Sequence, residues 1–233
     1  MQGMRVVRYR SLTQMMAVGT LVVLGVGVLV FVMTRGLMAG SGWLQLLPIG
    51  ALIVGLKALD WQWSWVKGWV GERSLLHRLQ PLGDGWTAIT NFVPSDEKRG
   101  DVDLMLVGPP GVIVIEAKTY SGVIVHNRGA WHRVQSNGWR TRIPKGISGQ
   151  ALGNRDAVDR HVRAALGPDC PASLAVIPLL VFIGAESVDP GRARVTALQS
   201  GRVLEYLGGL PSVMRAEEVA RVAAVFGSKA AAG

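Results

Sequence analysis

Carboxylates are missing from the first quarter of this chain. No Asp or Glu occurs among residues 1–59, which carry five cations, Arg5, Arg8, Arg10, Arg35 and Lys57. Cysteine is scarce as well. Cys170 stands alone, which excludes an internal disulfide and a cysteine-rich metal centre, and it reads as a small, reduced, inert residue. The four histidines (His77, His126, His132, His161) lack metal-ligand spacing. There is no glycine-rich phosphate loop and no nucleophile elbow, so nothing in the chain supports a nucleotide-driven motor. Internal repeats and low-complexity linkers are absent too.

Positive charge is what abounds. Lys and Arg total 25 against 16 acids, a net +9 with a pI near 10.4. That balance points to polyanions or an anionic membrane surface as partners. Residues 60–233 hold the other 20 cations and all 16 acids, so part of the excess belongs to the N-terminal segment.

Met15 to Met33 is a run of 19 uncharged residues, nearly all aliphatic or Gly. As a helix it would be about 28 Å long, enough for a hydrocarbon core of roughly 30 Å. Leu37 to Leu56 is a second uncharged run of 20, interrupted by Gln45 and Pro48. Two transmembrane helices, about 15–33 and 37–56, follow as the reading for an N-terminal anchor of residues 1–59. A signal peptide cleaved near Met38-Ala39-Gly40 is the competing reading. Its apolar core would be longer than usual, and a second apolar run follows it. The second run would also suit a buried core helix. Cations before the first run and after the second (Lys57, Lys67) place the N-terminus and the C-terminal domain in the cytoplasm, on a multi-pass inner (cytoplasmic) membrane protein. Trp61, Trp63, Trp65 and Trp69 make 60–70 an interfacial linker, or a Trp-rich core face of the next domain's first helix.

From residue 71 the pattern is α/β. Helical spacing runs from Trp65 to Leu79 and again from Ile147 to Leu166. Trp86–Val93 and Ser173–Ile183 read as strands, and Gly122–Val125 with Ala130–Gln135 as a short pair. Residues 94–100 form a charged loop. Thr196–Leu207 and Pro211–Phe226 read as closing helices.

The centre is Gly100 to Gly122, two apolar strands around a tight Gly108-Pro109-Pro110-Gly111 turn. If the turn is symmetric, opposed residue numbers sum to 219, so Asp103 faces Glu116 and Asp101 faces Lys118. Glu116 and Lys118, two apart, share a strand face. Opposed side chains sit about 4.5–5.5 Å apart at Cβ, and carboxylates that close repel unless a cation or shared proton intervenes. An acid pair and a lysine in a hairpin apolar on both faces suit a divalent metal such as Mg²⁺, or Mn²⁺, with hard oxygen ligands. Such a metal activates a water and offsets charge on a reacting phosphate. Lys118 could orient or deprotonate that water, or steady the phosphate. A solvated Asp–Lys pair at an exposed sheet end is the plainer alternative.

Several short motifs in one order extend this. Gly71-Glu72, Gly100-Asp101-Val102-Asp103, Gly111-Val112-Ile113-Val114-Ile115-Glu116-Ala117-Lys118 with Gly122, then Trp131 and Gln150 resemble the nuclease-related domain (NERD) group of the PD-(D/E)XK phosphodiesterase superfamily. The resemblance spans roughly Gly71 to Leu166. It implies a restriction-endonuclease-like α/β fold, a central mixed β-sheet flanked by helices, here preceded by two transmembrane helices. It implies metal ligation by Asp103, Glu116 and the Ala117 carbonyl, and the catalytic-lysine role for Lys118. Glu72 would reach the metal or its water from the first helix. Gln150 would approach from the later helix, with Asn154 one turn on.

Arg128, Arg133, Arg140, Arg142, Lys145 and Arg155 lie in one stretch with Trp131 and Trp139 interleaved, ordinary equipment for DNA or RNA. Helical ion pairs Asp156–Arg160 and Asp159–Arg163 on a solvated face, or a lipid-facing surface, would account for the same residues. The expectation is a membrane-anchored, Mg²⁺-dependent nuclease. Its rivals are a non-catalytic nucleic-acid or protein binding module at the membrane and a lipid-bound scaffold.

Overall fold

Apolar residues on both faces of the central strands require a layer of helices on each side, and the computed structural model has that arrangement. It describes residues 4–8, 70–94 and 101–230, with single helical positions at 25, 27, 53 and 57. The chain divides into two units, Met1–Tyr9 with Val70–Gly233, and Arg10–Trp69. Both expected membrane spans fall in the second unit and, apart from the single positions 25, 27 and 53, outside the described residues; residues 60–69 of that unit and the loop 95–100 of the first unit lie outside them too. Among the described residues no helix is long and apolar enough to cross a membrane.

The first unit holds one eight-stranded mixed sheet. Strand β1 (Arg5–Arg8) lies at an edge, parallel to β2 (Thr87–Phe92). Then β2 pairs antiparallel with β3 (Val102–Gly108), and β3 with β4 (Gly111–Asn127). Further along, β4 pairs antiparallel with β5 (Ala130–Val134), which continues to β6 (Arg140–Arg142). The other edge of β4 carries β7 (Val176–Asp189) in parallel, and β8 (Thr196–Gln199) completes that side.

Side chains alternate between two cores. Met105, Val107, Val112 and Val114 pack with Val158 and Val162 of α2 (Ile147–Leu166) and with Val219, Val222 and Phe226 of α4 (Ala216–Ala230). Leu104, Leu106, Ile113 and Ile115 pack with Leu75 and Leu79 of α1, described over 70–79, and with Val203 and Leu207 of α3 (Val203–Gly208). A third cluster, including Ile124, Trp131, Ile147, Leu180 and Phe182, lies under the start of α2.

Three expectations need correcting. Arg5 and Arg8, assigned to the flank of the first span, belong to a sheet strand, because Met4 and Val7 find buried places in the two cores. The stretch from Gly111 to Asn127 is one 17-residue strand rather than a hairpin arm and a separate short pair. Thr196–Gln199 is a strand, because the free edge of β7 captures it and buries Val195 and Ala197. Only Val203–Gly208 of that stretch is an α-helix.

Candidate active site

The register of the β3–β4 hairpin decides where its charges go. Its rungs run from Leu104↔Ile115 to Gly108↔Gly111, the expected symmetric register. The next rung would oppose Asp103 to Glu116, and there the ladder stops. Instead Asp103 Oδ2 accepts the Ala117 N–H at 3.1 Å. Among the described residues, Glu116 to Gly122 have no strand partner on this edge. The strand β5 takes it up only at Val123, and β7 occupies the opposite edge. A strand residue presents its N–H and C=O to the same edge, so the Ala117 carbonyl faces this opening.

Glu116 is 0% exposed. Its Oε2 accepts a hydrogen bond from Asn154 Nδ2 of α2 at 3.0 Å. Lys118 Nζ lies 2.6 Å from Oε1, a charge contact, and Oε1 otherwise has no hydrogen-bond partner. Helix α2 is itself fastened in place: Trp131 Nε1 of β5 donates to Ser148 Oγ in its first turn at 2.8 Å. Gln150 sits in that turn, exposed, one helical turn before the buried Asn154. The helix residue that touches the acid is therefore Asn154.

Glu72 arrives from α1, on the other face of the sheet. A Cβ on Gly71 would stand 2.8 Å from Thr119 Oγ1 and 3.1 Å from Ile183 Cδ1, so the missing side chain lets α1 approach β4 and β7 there. Burial, and then Asp103, Asp101 and Glu116, push the Glu72 carboxyl up to about 7. Glu116 is likewise pushed up to about 7, by burial and then by Asp103, against the pull of Lys118. Burial also raises Asp103 above the usual carboxylate range, outweighing its hydrogen bond from Ala117 and the Lys118 charge. Burial opposes the Lys118 charge, but Glu116 and Asp103 more than offset it and hold the ammonium above its ordinary value. Three carboxylates, Glu72, Asp103 and Glu116, thus bear on one lysine, a site short of positive charge.

Among the described residues no three His, Cys, Asp or Glu side chains converge as a metal cluster. What faces the opening is two carboxylates, Asp103 and Glu116, and a carbonyl. Hard oxygen donors of this number fit Mg²⁺, which keeps most of its waters and takes one or two carboxylates. The buried Oε1 of Glu116, held among the described residues only by its charge contact with Lys118, fits the same use.

One residue went unread in the sequence. Asn91 has φ 55°, a left-handed conformation inside β2, and it stands where a rung to Asp103 would fall between Thr90↔Leu104 and Phe92↔Val102. Asp103 is therefore released from regular pairing on both sides. An Asn within Thr-Ala-Ile-Thr-Asn-Phe was the available signal, since Asn tolerates this conformation and β-branched residues do not. Asn91→Gly should leave stability nearly unchanged, whereas Asn91→Val should cost about 1–3 kcal/mol. Urea melts of the two variants check this; equal behaviour would remove the backbone argument.

The expected basic residues divide. Arg128, Arg140 and Arg142 line one groove with His132. Arg133 is tied to Ser121, its Nε donating to the carbonyl at 2.8 Å and its Nη2 to Oγ at 2.7 Å. Arg155 pairs with Asp156 at 2.8 Å, so the expected Asp156–Arg160 pair is not what the acid makes, while Arg163 and Asp159 pair at 2.9 Å as expected. Lys145 is exposed and lies outside the groove lining.

The nuclease-related domain matches residues 67–183, just over half of the chain. The chain belongs to the nuclease-related domain family. No match was found among curated proteins or among solved structures. The nuclease-related match contains Glu72, Asp103, Glu116, Lys118, Gln150 and Asn154, together with the groove arginines. Strand β1 precedes it, and β8, α3 and α4 follow it. The mixed sheet between helix layers is consistent with the PD-(D/E)XK superfamily.

Proposed function

We propose that this nuclease-related protein hydrolyses phosphodiester bonds of DNA or RNA with a divalent metal, from an anchor in the membrane. The opening in the β4 edge carries the reading. There the buried Glu116, the half-buried Asp103, a lysine and the Ala117 carbonyl meet where backbone pairing has been given up. Asp103, Glu116 and the Ala117 carbonyl would hold Mg²⁺ or Mn²⁺. Such an ion, when bound, lowers the pKa of a water and offsets charge building on the phosphate. Asn154 fixes the Glu116 carboxylate, and Asp103 is oriented by the Ala117 N–H. Lys118, the cationic half of its pair, donates to a phosphate oxygen or to the attacking water. Glu72 faces the same field of charge and is suited to accept a proton from that water.

The anchor draws support from chain connectivity. Residues 4–8 and everything from residue 70 onward belong to one unit, so segment 10–69 leaves and returns to the same domain. Any passage of that segment through a bilayer must be an even number of crossings, as two spans are. Cleavage near residue 39 would detach β1. The cation distribution then puts the domain in the cytoplasm.

The occupied Glu116 oxygens favour a second reading, a nucleic-acid or protein binding module without catalysis. Full-length protein in detergent, given labelled single- and double-stranded DNA and RNA with Mg²⁺ or Mn²⁺, distinguishes the two. Cutting should fall at least about 100-fold in both Asp103→Asn and Lys118→Met. Undiminished cutting by both variants would remove the site. Absence of cutting in the wild type, with no carboxylate-dependent Mg²⁺ binding by calorimetry, would favour the binding module.

A further inference from the structure

A groove of about 500 Å³ lies on the outer strands, lined by Asn127, Arg128, Ala130, His132, Arg140 and Arg142. No carboxylate lines it. The described ion pairs engage Lys118, Arg155, Arg163, Arg202 and Arg215, and none of the three groove arginines. In β6, Arg140 and Arg142 are two apart and share a strand face, and His132 is the cross-strand neighbour of Arg142. Arg128 reaches the groove from the two-residue turn between β4 and β5, at φ 48° beside Gly129 at φ 77°. Such a turn prefers Asn or Gly at its first position, so an Arg there bears backbone strain.

Trp139 directly precedes Arg140 and is 68% exposed. Its backbone is nevertheless fixed. The Trp139 N–H donates to Asn137 Oδ1 at 3.0 Å, and its carbonyl accepts from the Gln135 N–H at 2.9 Å. An indole this exposed on an ordered turn, next to arginines that no described acid pairs, presents an open aromatic face among the described residues.

We propose that this arm, β5 and β6 with their turns, grips a single-stranded polynucleotide. Arg128, Arg140 and Arg142 take successive phosphates, and Trp139 stacks on one unpaired base. The inference rests on the reading of the protein as acting on nucleic acid, and it names the class. In a duplex each base face is already covered by its neighbours, so an exposed indole finds a partner face only on an unstacked base. The three cations line a concavity, which follows a strand backbone and does not lie flat on a bilayer.

The test is binding of a fluorescein-labelled 20-nucleotide strand, and of the same sequence as duplex, to full-length protein in EDTA across a salt series. The single strand should bind at least several-fold more tightly than the duplex. Trp139→Ala should weaken single-strand binding roughly tenfold with an unchanged salt slope, and Trp139→Phe should restore most of it. Arg140→Ala and Arg142→Ala should each flatten the log–log salt slope by about 0.7. Equal affinity for both forms, an unaffected Trp139→Ala, or unchanged slopes would each overturn the proposal. So would binding to anionic phosphatidylserine vesicles in place of the strand, lost in the same variants, which would assign the arm to lipid. EDTA separates this outcome from catalysis. A protein that binds this way yet never cuts loses only the hydrolytic reading, and one that cuts but binds both forms alike loses only this proposal.

Discussion

Glu116→Gln should raise the melting temperature of the metal-free protein at pH 8 while reducing the proposed phosphodiester cutting by about 10³-fold or more. The two effects have one cause. Glu116 is fully buried beside Asp103, and burial and that neighbour hold its carboxyl up near 7 against an ordinary 4.5. A carboxylate raised in the folded state contributes stability that is fully present below about 4.5 and lost as pH rises through about 7. At pH 8 the wild type carries the whole burden of the buried charge, on the order of 1–3 kcal/mol after its pairing with Lys118. Gln is nearly isosteric, its carbonyl oxygen can still accept from Asn154 Nδ2, and it has no charge to bury. The melting temperature should rise by several degrees at pH 8, and the difference should shrink towards zero by pH 4.5. On the proposed hydrolytic reading, cutting should fail because a neutral amide is a poor ligand for a hard cation and leaves Lys118 without its partner. Thermal melts in EDTA at the two pH values, with rates in Mn²⁺, check both halves. A lower melting temperature for the variant at pH 8 would mean that the ion pair with Lys118 outweighs burial.

The second large effect lies at the head of β4. Gly111→Ala should lower the unfolding free energy by more than about 3 kcal/mol, whereas Gly129→Ala should cost only about 1 kcal/mol. Both glycines have positive φ, 123° and 77°. A Cβ at Gly111 would stand 2.2 Å from the Ala175 carbonyl oxygen, and one at Gly129 meets nothing within 4 Å. The contact at Gly111 is forced by the Val112 N–H, which donates to that same Ala175 oxygen at 2.9 Å and starts the β4–β7 pairing. Relief would require separating the strand that carries Glu116 and Lys118 from its parallel neighbour. Urea titrations of the two variants give the comparison. Similar losses at both positions would show that backbone conformation alone, and not the close approach, sets the cost.

Much of the site was legible because its parts are local. A two-residue turn between two apolar strands fixes a register by chain geometry alone, so Leu104↔Ile115 and the approach of Asp103 to Glu116 follow from counting. The helical period of Ile147–Leu166 set α2 with the same bounds as observed. Less local features escaped. Thr196–Leu207 reads as a helix in isolation, and its first residues became β8 only because β7 has an edge to fill. That residues 5–8 join a sheet whose next strand begins at Thr87 cannot be read from either segment. The basic stretch looked uniform, yet Ser121 and Asp156 engage Arg133 and Arg155 while no described acid pairs with the groove arginines.

By itself the sequence determined the two-sided apolar strands, the hairpin register, and the order of motifs that places the chain in the nuclease-related family. These rest on side-chain period and turn chemistry, which act over a few residues. Only the tertiary structure decided that Asp103 turns from its rung to the Ala117 N–H, that Asn154 rather than Gln150 meets Glu116, and that β3 and β5 leave an opening between them. Each depends on which edge of β4 is already occupied and on where Trp131 fastens α2, and such choices are settled only when distant segments compete for the same backbone groups.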